Sequence, residues 1–106
     1  MKLIKQISND IAGNINEARE KMRTAYELKA ESPEAASWYR DMASAHIGFN
    51  SKGHEVIKKL IEAYKTSDEY KRNPAYADGM MCAWNTIHDD LIAKTAEVKA
   101  MVDGFK

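Results

Sequence analysis

Apolar residues recur along this chain in steps of three and four, and the pattern is interrupted twice by a polar residue followed by proline. In the first stretch Ile4, Ile7, Ile11, Asn14 with Ile15, Ala18, Met22 and Ala25 keep that spacing, which turns one stripe of a helix toward a core. The spacing predicts one helix from Lys2 to about Glu31. Gly13 is its weak helix former, costing about 1 kcal/mol relative to alanine. Ser32-Pro33 ends it: serine caps the helix that follows, proline suits the first turn, and the residue before proline is pushed out of the α region. So short a joint predicts a tight helical hairpin.

The longest amphipathic run extends from Ser32 to Thr66. Ala35, Trp38, Met42, Ala45, Phe49, Gly53, Val56, Leu60 and Ala63 form its expected core stripe, with Tyr39, His46, Ile57, Ile61 and Tyr64 as a second row beside it. Together they are wider than a two-helix seam needs. Gly48 to Gly53 has the composition of a turn, yet the phase passes through it from Phe49 to Gly53 to Val56. The reading is one continuous second helix with close packing at the glycines; a kink or break near Gly48-Gly53, giving four helices, is the alternative.

Ser67 to Asn73 has no apolar repeat and reads as a connection with room for one helical turn. Asn73-Pro74 repeats the cap-plus-proline signal and opens a third helix that runs to about Asp103. Ala77, Met80/Met81, Trp84, Ile87/His88, Leu91, Thr95, Val98 and Met101/Val102 are its inward positions, and Gly104 is placed to terminate it. The predicted fold is all-α, a single domain over residues 1–106 built as an up-down-up bundle of three long antiparallel helices. Helices of about thirty residues are about 45 Å long and enclose a thin core. Wide apolar faces at Tyr39/Ile57/Ile61 and Met81/His88/Ile92 therefore predict self-association as a homodimer.

A chain of 106 residues buries about two-thirds of its unfolded surface and folds around one core without staples. Its 16 basic and 16 acidic residues leave no net field, which argues against nucleic acid and anionic membranes as partners. The basic cluster Lys58, Lys59, Lys65, Lys71 and Arg72 is interleaved with Glu55, Glu62, Asp68 and Glu69 and reads as a solvated helix end. One cysteine, Cys82, excludes an intrachain disulfide and a cysteine-rich metal site, and fits a reducing, cytoplasmic home. The N-terminal MKLIKQISNDIAGNI never becomes a continuous apolar segment, so neither a signal peptide nor a membrane span is expected.

Candidate chemistry rests on the 3 histidines. Antiparallel register puts His54 level with Asp10 and His88, and His46 level with Glu17. Two imidazoles and a carboxylate from three helices are a ligand set suited to a divalent transition metal, so Asp10, His54 and His88 are the candidate metal site. The spacing argues the other way. Paired ligands one turn apart are missing, since Ala43, Ser51 and Asn85 stand three residues before the histidines. His46 and His54 are themselves about 12 Å apart along one axis, too far to share an ion. As ordinary bundle residues, His54 and His88 would close side-chain hydrogen bonds or face water.

The segments WYRDMASAH and GHEVIKKLI, within Trp38 to Ile61, resemble the helices of short ferritin-like proteins. That resemblance implies a long-helix hairpin, often dimerised, that binds metal. The family's Glu-x-x-His is absent here, so its oxidase chemistry transfers to no residue; Glu17, His46, Asp10, His54 and His88 are positions to test. A nucleophilic enzyme is disfavoured because Cys82 lies six residues from His88 on another helix face, and no glycine-rich phosphate loop is present. The six methionines suit an adaptable groove, though Met80 and Met81 beside Trp84 read as core. The expected function is that of a small non-enzymatic helical protein acting through protein contacts or self-association, with a metal-binding ferritin-like bundle as the alternative.

Overall fold

A computed structural model describes residues 2–106. Among them are α1 (Lys2–Leu28), α2 (Pro33–Tyr64), α3 (Asp68–Arg72) and α4 (Pro74–Asp103), with no strand. The all-α class is as the periodicity predicts. The fourth helix does not come from a break in α2, which is continuous through Gly48-Gly53; it is the short α3 inside the expected connection. Polar residues set each boundary. Ser32 Oγ accepts from the Ala35 N–H at 3.4 Å, Ser67 Oγ from Tyr70 at 3.2 Å and Asn73 Oδ1 from Tyr76 at 3.3 Å. Pro33 and Pro74 occupy first turns, where their missing N–H costs nothing.

The long helices lie along one another in a rod of 61 × 17 × 16 Å. Their buried positions repeat every seven residues, the repeat of coiled-coil packing: Ile4, Ile11, Ala18 and Ala25 on α1; Ala43, Asn50, Ile57 and Tyr64 on α2; Met81, His88, Thr95 and Val102 on α4. α1 and α2 pack most closely, because Ala18, Ala25, Ala36 and Ala43 bring no bulk to their seam. At Gly53 a Cβ would stand 3.0 Å from both Cγ1 and Cδ1 of Ile11, so this glycine admits the neighbouring helix. Gly48 is different: a Cβ there meets nothing within 4 Å.

The inward positions expected on α1 are buried or half-buried, and on α4 His88 and Val102 are buried while their expected companions Ile87 and Met101 are exposed; on α2 the structure turns the helix the other way. Ile57, Ile61 and Tyr64 from the second row are buried, whereas Trp38 and Phe49 from the expected core stripe are 58% and 71% exposed. Small and polar residues, Ala36, Ala43 and Asn50, occupy the core track that bulk alone would assign to Trp38 and Phe49. The face expected to be free for a second copy therefore holds the monomer together, as do Met81 and His88 of the α4 face, while Ile92 stays exposed.

α4 is tied to α1 near the chain's end, where Tyr26 donates to the Met101 carbonyl at 3.3 Å and stacks edge-on against Phe105. Arg19 and Glu97 form an ion pair at 3.0 Å along the same side. At the opposite end Tyr64 stacks on Trp84 and Tyr70, and Tyr70 donates to Asp78 at 2.8 Å, closing the α2–α3–α4 corner. No helix among the described residues is long and apolar enough to cross a membrane.

Candidate functional site

Midway along the rod the seven-residue tracks of α2 and α4 carry polar side chains into the core. Asn50 is 0% exposed, and Thr95 and His88 are buried with it. A buried amide is costly unless every hydrogen and lone pair finds a partner. Asn50 finds them on two other helices. Its Nδ2 donates to the Ile11 carbonyl at 3.3 Å and to Thr95 Oγ1 at 3.4 Å, and its Oδ1 accepts from Asn14 Nδ2 at 3.0 Å.

The remaining hydrogens in this chain of bonds are fixed by elimination. Thr95 gives its one hydroxyl proton to the Leu91 carbonyl at 2.8 Å, so its oxygen can only accept from the side. His54 Nε2, 3.2 Å from that oxygen, must therefore carry the hydrogen and donate it. Asn14 donates through nitrogen, which leaves its oxygen to receive His46 Nδ1–H at 3.3 Å. One path of hydrogen bonds thus runs from His46 through Asn14, Asn50 and Thr95 to His54, crossing α2, α1, α2, α4 and back to α2.

Past Thr95 the path meets His88. The two imidazole rings lie edge to face, centroids 5.0 Å apart. With Nε2 protonated, neutral His54 has a bare lone pair at Nδ1; that atom is buried and has no hydrogen-bond partner among the described residues, and the same is true of His88 Nδ1. Both imidazoles are held below the ordinary histidine value of 6.5. For His54 burial is the first cause and the neighbouring His88 the second. For His88 burial dominates and the Asp89 carboxylate opposes it. Outside the rings a cleft of about 300 Å³ between α2 and α4 is lined by Lys58, Ile61, Glu62, Asn85, His88, Asp89 and Ile92.

Of the candidate metal ligands the structure brings His54 and His88 together and leaves Asp10 apart. Asp10 is exposed and accepts from Gln6 at 3.3 Å. The level of Asp10 along α1 is near that of His54, but it precedes buried Ile11 by one residue, which is about 100° of rotation. Among the described residues no group of three or more histidine, cysteine, aspartate or glutamate side chains is placed to hold a metal ion. His46 faces Asn14 rather than Glu17, about one turn from the expected register. Asn14 and Thr95 stand at expected inward positions, whereas the burial of Asn50 and the polar layer the three form are not expected from the sequence. The signal for them is positional: Asn50 stands seven residues from both Ala43 and Ile57, and Thr95 lies between Leu91 and Val98 on one stripe.

Two other features have a local chemistry. Lys29, Arg40 and Lys106 line a cavity of about 330 Å³ at the end of the rod where α1 and α4 finish, and cations near helix C-termini offset the partial negative charge of the last carbonyls. Cys82 is exposed on α4. On the outer face of α2, Met42, Phe49 and Val56 form one row, with Trp38 and Ala45 in the next. The chain matches no protein-family model, and comparison with curated proteins and with solved structures finds no match.

Proposed function

We propose that this protein is a small, non-enzymatic helical self-association module whose outer α2 face takes a second copy of the chain. The observation that carries the reading is Phe49, a large apolar side chain 71% exposed in mid-helix rather than at a frayed end. It is flanked by Met42 and Val56 at seven-residue steps, and Trp38, 58% exposed, extends the surface toward the N-terminus of α2. Met42 and Val56 are half-buried beside Phe49, and exposed apolar side chains on such a helix face mark contact sites.

A second copy fits because the row reads nearly alike in both directions. Phe49 lies at the middle of Pro33–Tyr64, so a two-fold axis through it sets Met42 against the partner's Val56 in an antiparallel pairing. Isologous dimers require this self-complementarity. Ala45, exposed beside the centre of this row, brings little bulk to the contact. With 16 charges of each sign, no net repulsion separates two copies. Multi-angle light scattering should report a dimer that Phe49→Asp converts to a monomer of unchanged helix content. A wild-type monomer at high micromolar concentration overturns the second copy as the partner.

A further inference from the structure

At the end of the rod where α2 begins, one stripe of that helix lines a cavity of about 330 Å³. Pro33, Ala36, Ser37 and Arg40 follow one another at steps of one to three residues and share one side of the first two turns. Lys29, from the joint after α1, and Phe105 and Lys106, from beyond α4, complete the lining. Phe105 meets Tyr26 edge-on with ring centroids 5.1 Å apart, and Lys29 Nζ stands 5.4 Å from its centroid. The cavity therefore has an aromatic wall with a cation already against it.

Its charge is one-sided. Lys29, Arg40 and Lys106 line it and no carboxylate does, whereas clefts between α2 and α4 mix the signs, Lys58 with Glu62 and Asp89 in one and Lys99 with Asp103 in another. Neither Lys29 nor Lys106 forms an ion pair among the described residues. Arg40 Nη1 lies 3.2 Å from Asp41, but Nε is buried and has no hydrogen-bond partner. A buried N–H ordinarily finds an acceptor. Offsetting the C-termini of α1 and α4 accounts for the sign of these charges and leaves their hydrogens unspent, because the carbonyls there already have donors: Leu28 accepts from Ser32 N–H, Ala100 from Gly104, Val102 from Phe105 and Met101 from Tyr26.

We propose that this cavity binds a small phosphomonoester, its phosphoryl group among Lys29, Arg40 and Lys106 and its organic part against Pro33, Ala36 and Phe105. Three cations exceed what the single charge and two oxygens of a carboxylate can satisfy. A phosphoryl group has about −1.5 to −2 charge at pH 7 and three acceptor oxygens, one of which suits the unpartnered Nε of the arginine fork. The volume is at the small end of ligand sites, about 300–1,000 Å³, which favours a short organic part. Asp41 holds the other side of the guanidinium and Glu34 stands in the first turn of α2, and neither lines the cavity. Side chains rather than the start of α2 supply the donors, since Pro33 has no N–H and Ser32 takes those of Ala35 and Ala36.

NMR titration of the full chain at pH 7.5 and low salt, with phenyl phosphate, inorganic phosphate and benzoate, tests this. Phenyl phosphate should give saturable shifts at Arg40 Nε–H and at the Lys29, Ser37 and Phe105 amides. It should bind more tightly than inorganic phosphate, which has nothing to set against Phe105, and than benzoate, which has one charge. Arg40→Gln should weaken it about tenfold or more, and added salt should weaken it in the wild type. Lys58→Gln with Lys59→Gln, in the other half of α2, should leave it unchanged. Shifts that never saturate, inorganic phosphate or benzoate binding as tightly as phenyl phosphate, wild-type affinity in Arg40→Gln, or an equal loss in the Lys58 and Lys59 variant overturns the proposal. Should Arg40→Gln fail to fold, Lys29→Gln decides by the same readout: weaker binding supports the site, and wild-type affinity overturns it.

Discussion

The two faces of α2 invert the usual relation between bulk and burial. Its inner track runs through Ala36, Ala43, Asn50 and Ile57, all at most 1% exposed, while its outer face carries Trp38 and Phe49 in the open. The inner face owes its burial to fit. Small side chains and Gly53 let α1 approach, and the amide of Asn50 stays in the core because two neighbouring helices satisfy it. The outer face leaves Trp38 and Phe49 exposed, with Met42 and Val56 half-buried beside them. Hydrophobicity locates surface that benefits from being covered; which part is covered within one chain depends on shape and on hydrogen-bond partners.

The largest effect that sharpens this contrast comes from adjacent truncations on the two faces. Ile57→Ala leaves a cavity at a site with 0% exposure and should cost about 2–5 kcal/mol. Phe49→Ala removes a larger side chain and should change monomer stability by about 0.5 kcal/mol or less. Urea unfolding at low micromolar concentration measures both. Comparable losses would mean that the outer face is packed in the monomer after all.

The glycines of α2 give a smaller and signed version of the same comparison. Gly53→Val must fit branched methyls where a Cβ already reaches Ile11 at 3.0 Å, so overpacking should cost about 1–3 kcal/mol. Gly48→Ala places its methyl in open space within a helix and should stabilise by about 0.5–1 kcal/mol through helix propensity. Thermal melts of the two variants should move in opposite directions. Shifts of one sign would break the assignment of these residues to opposite faces.

Most of the secondary structure is legible in the sequence, because Ser32-Pro33 and Asn73-Pro74 are local signals and α1 and α4 present Ile, Met, Leu and Val at core positions with polar neighbours. The rotation of α2 is not. Its threes-and-fours count is satisfied equally by two tracks, and choosing the more apolar one selects the outer face. Only tertiary partners, the Asn14 amide and the Ile11 carbonyl, make Asn50 acceptable inside. The candidate site is legible in level and not in angle: counting residues from the turns brings His54 to His88, since rise along a helix accumulates slowly, but one residue rotates Asp10 out of the layer.

That angular difference also sets the smallest predicted effect, the response to zinc. Neutral imidazoles are good ligands for zinc, and His54 Nδ1 presents a free lone pair beside His88. Zinc sites take four ligands, usually three or more from the protein, and Asp10 is not placed to be the third. Two imidazoles with water completing the shell should bind weakly. At a zinc concentration near its dissociation constant, mass action adds about 0.4 kcal/mol, which raises the melting temperature of a domain this size by about 2 °C. His54→Ala should remove that small rise, and Asp10→Ala should leave it intact because its carboxylate faces water rather than the pair. Calorimetric melts at pH 7.5 with and without zinc separate the cases. A rise well above this that Asp10→Ala abolishes would restore the three-ligand site and place Asp10 on the inner side of α1.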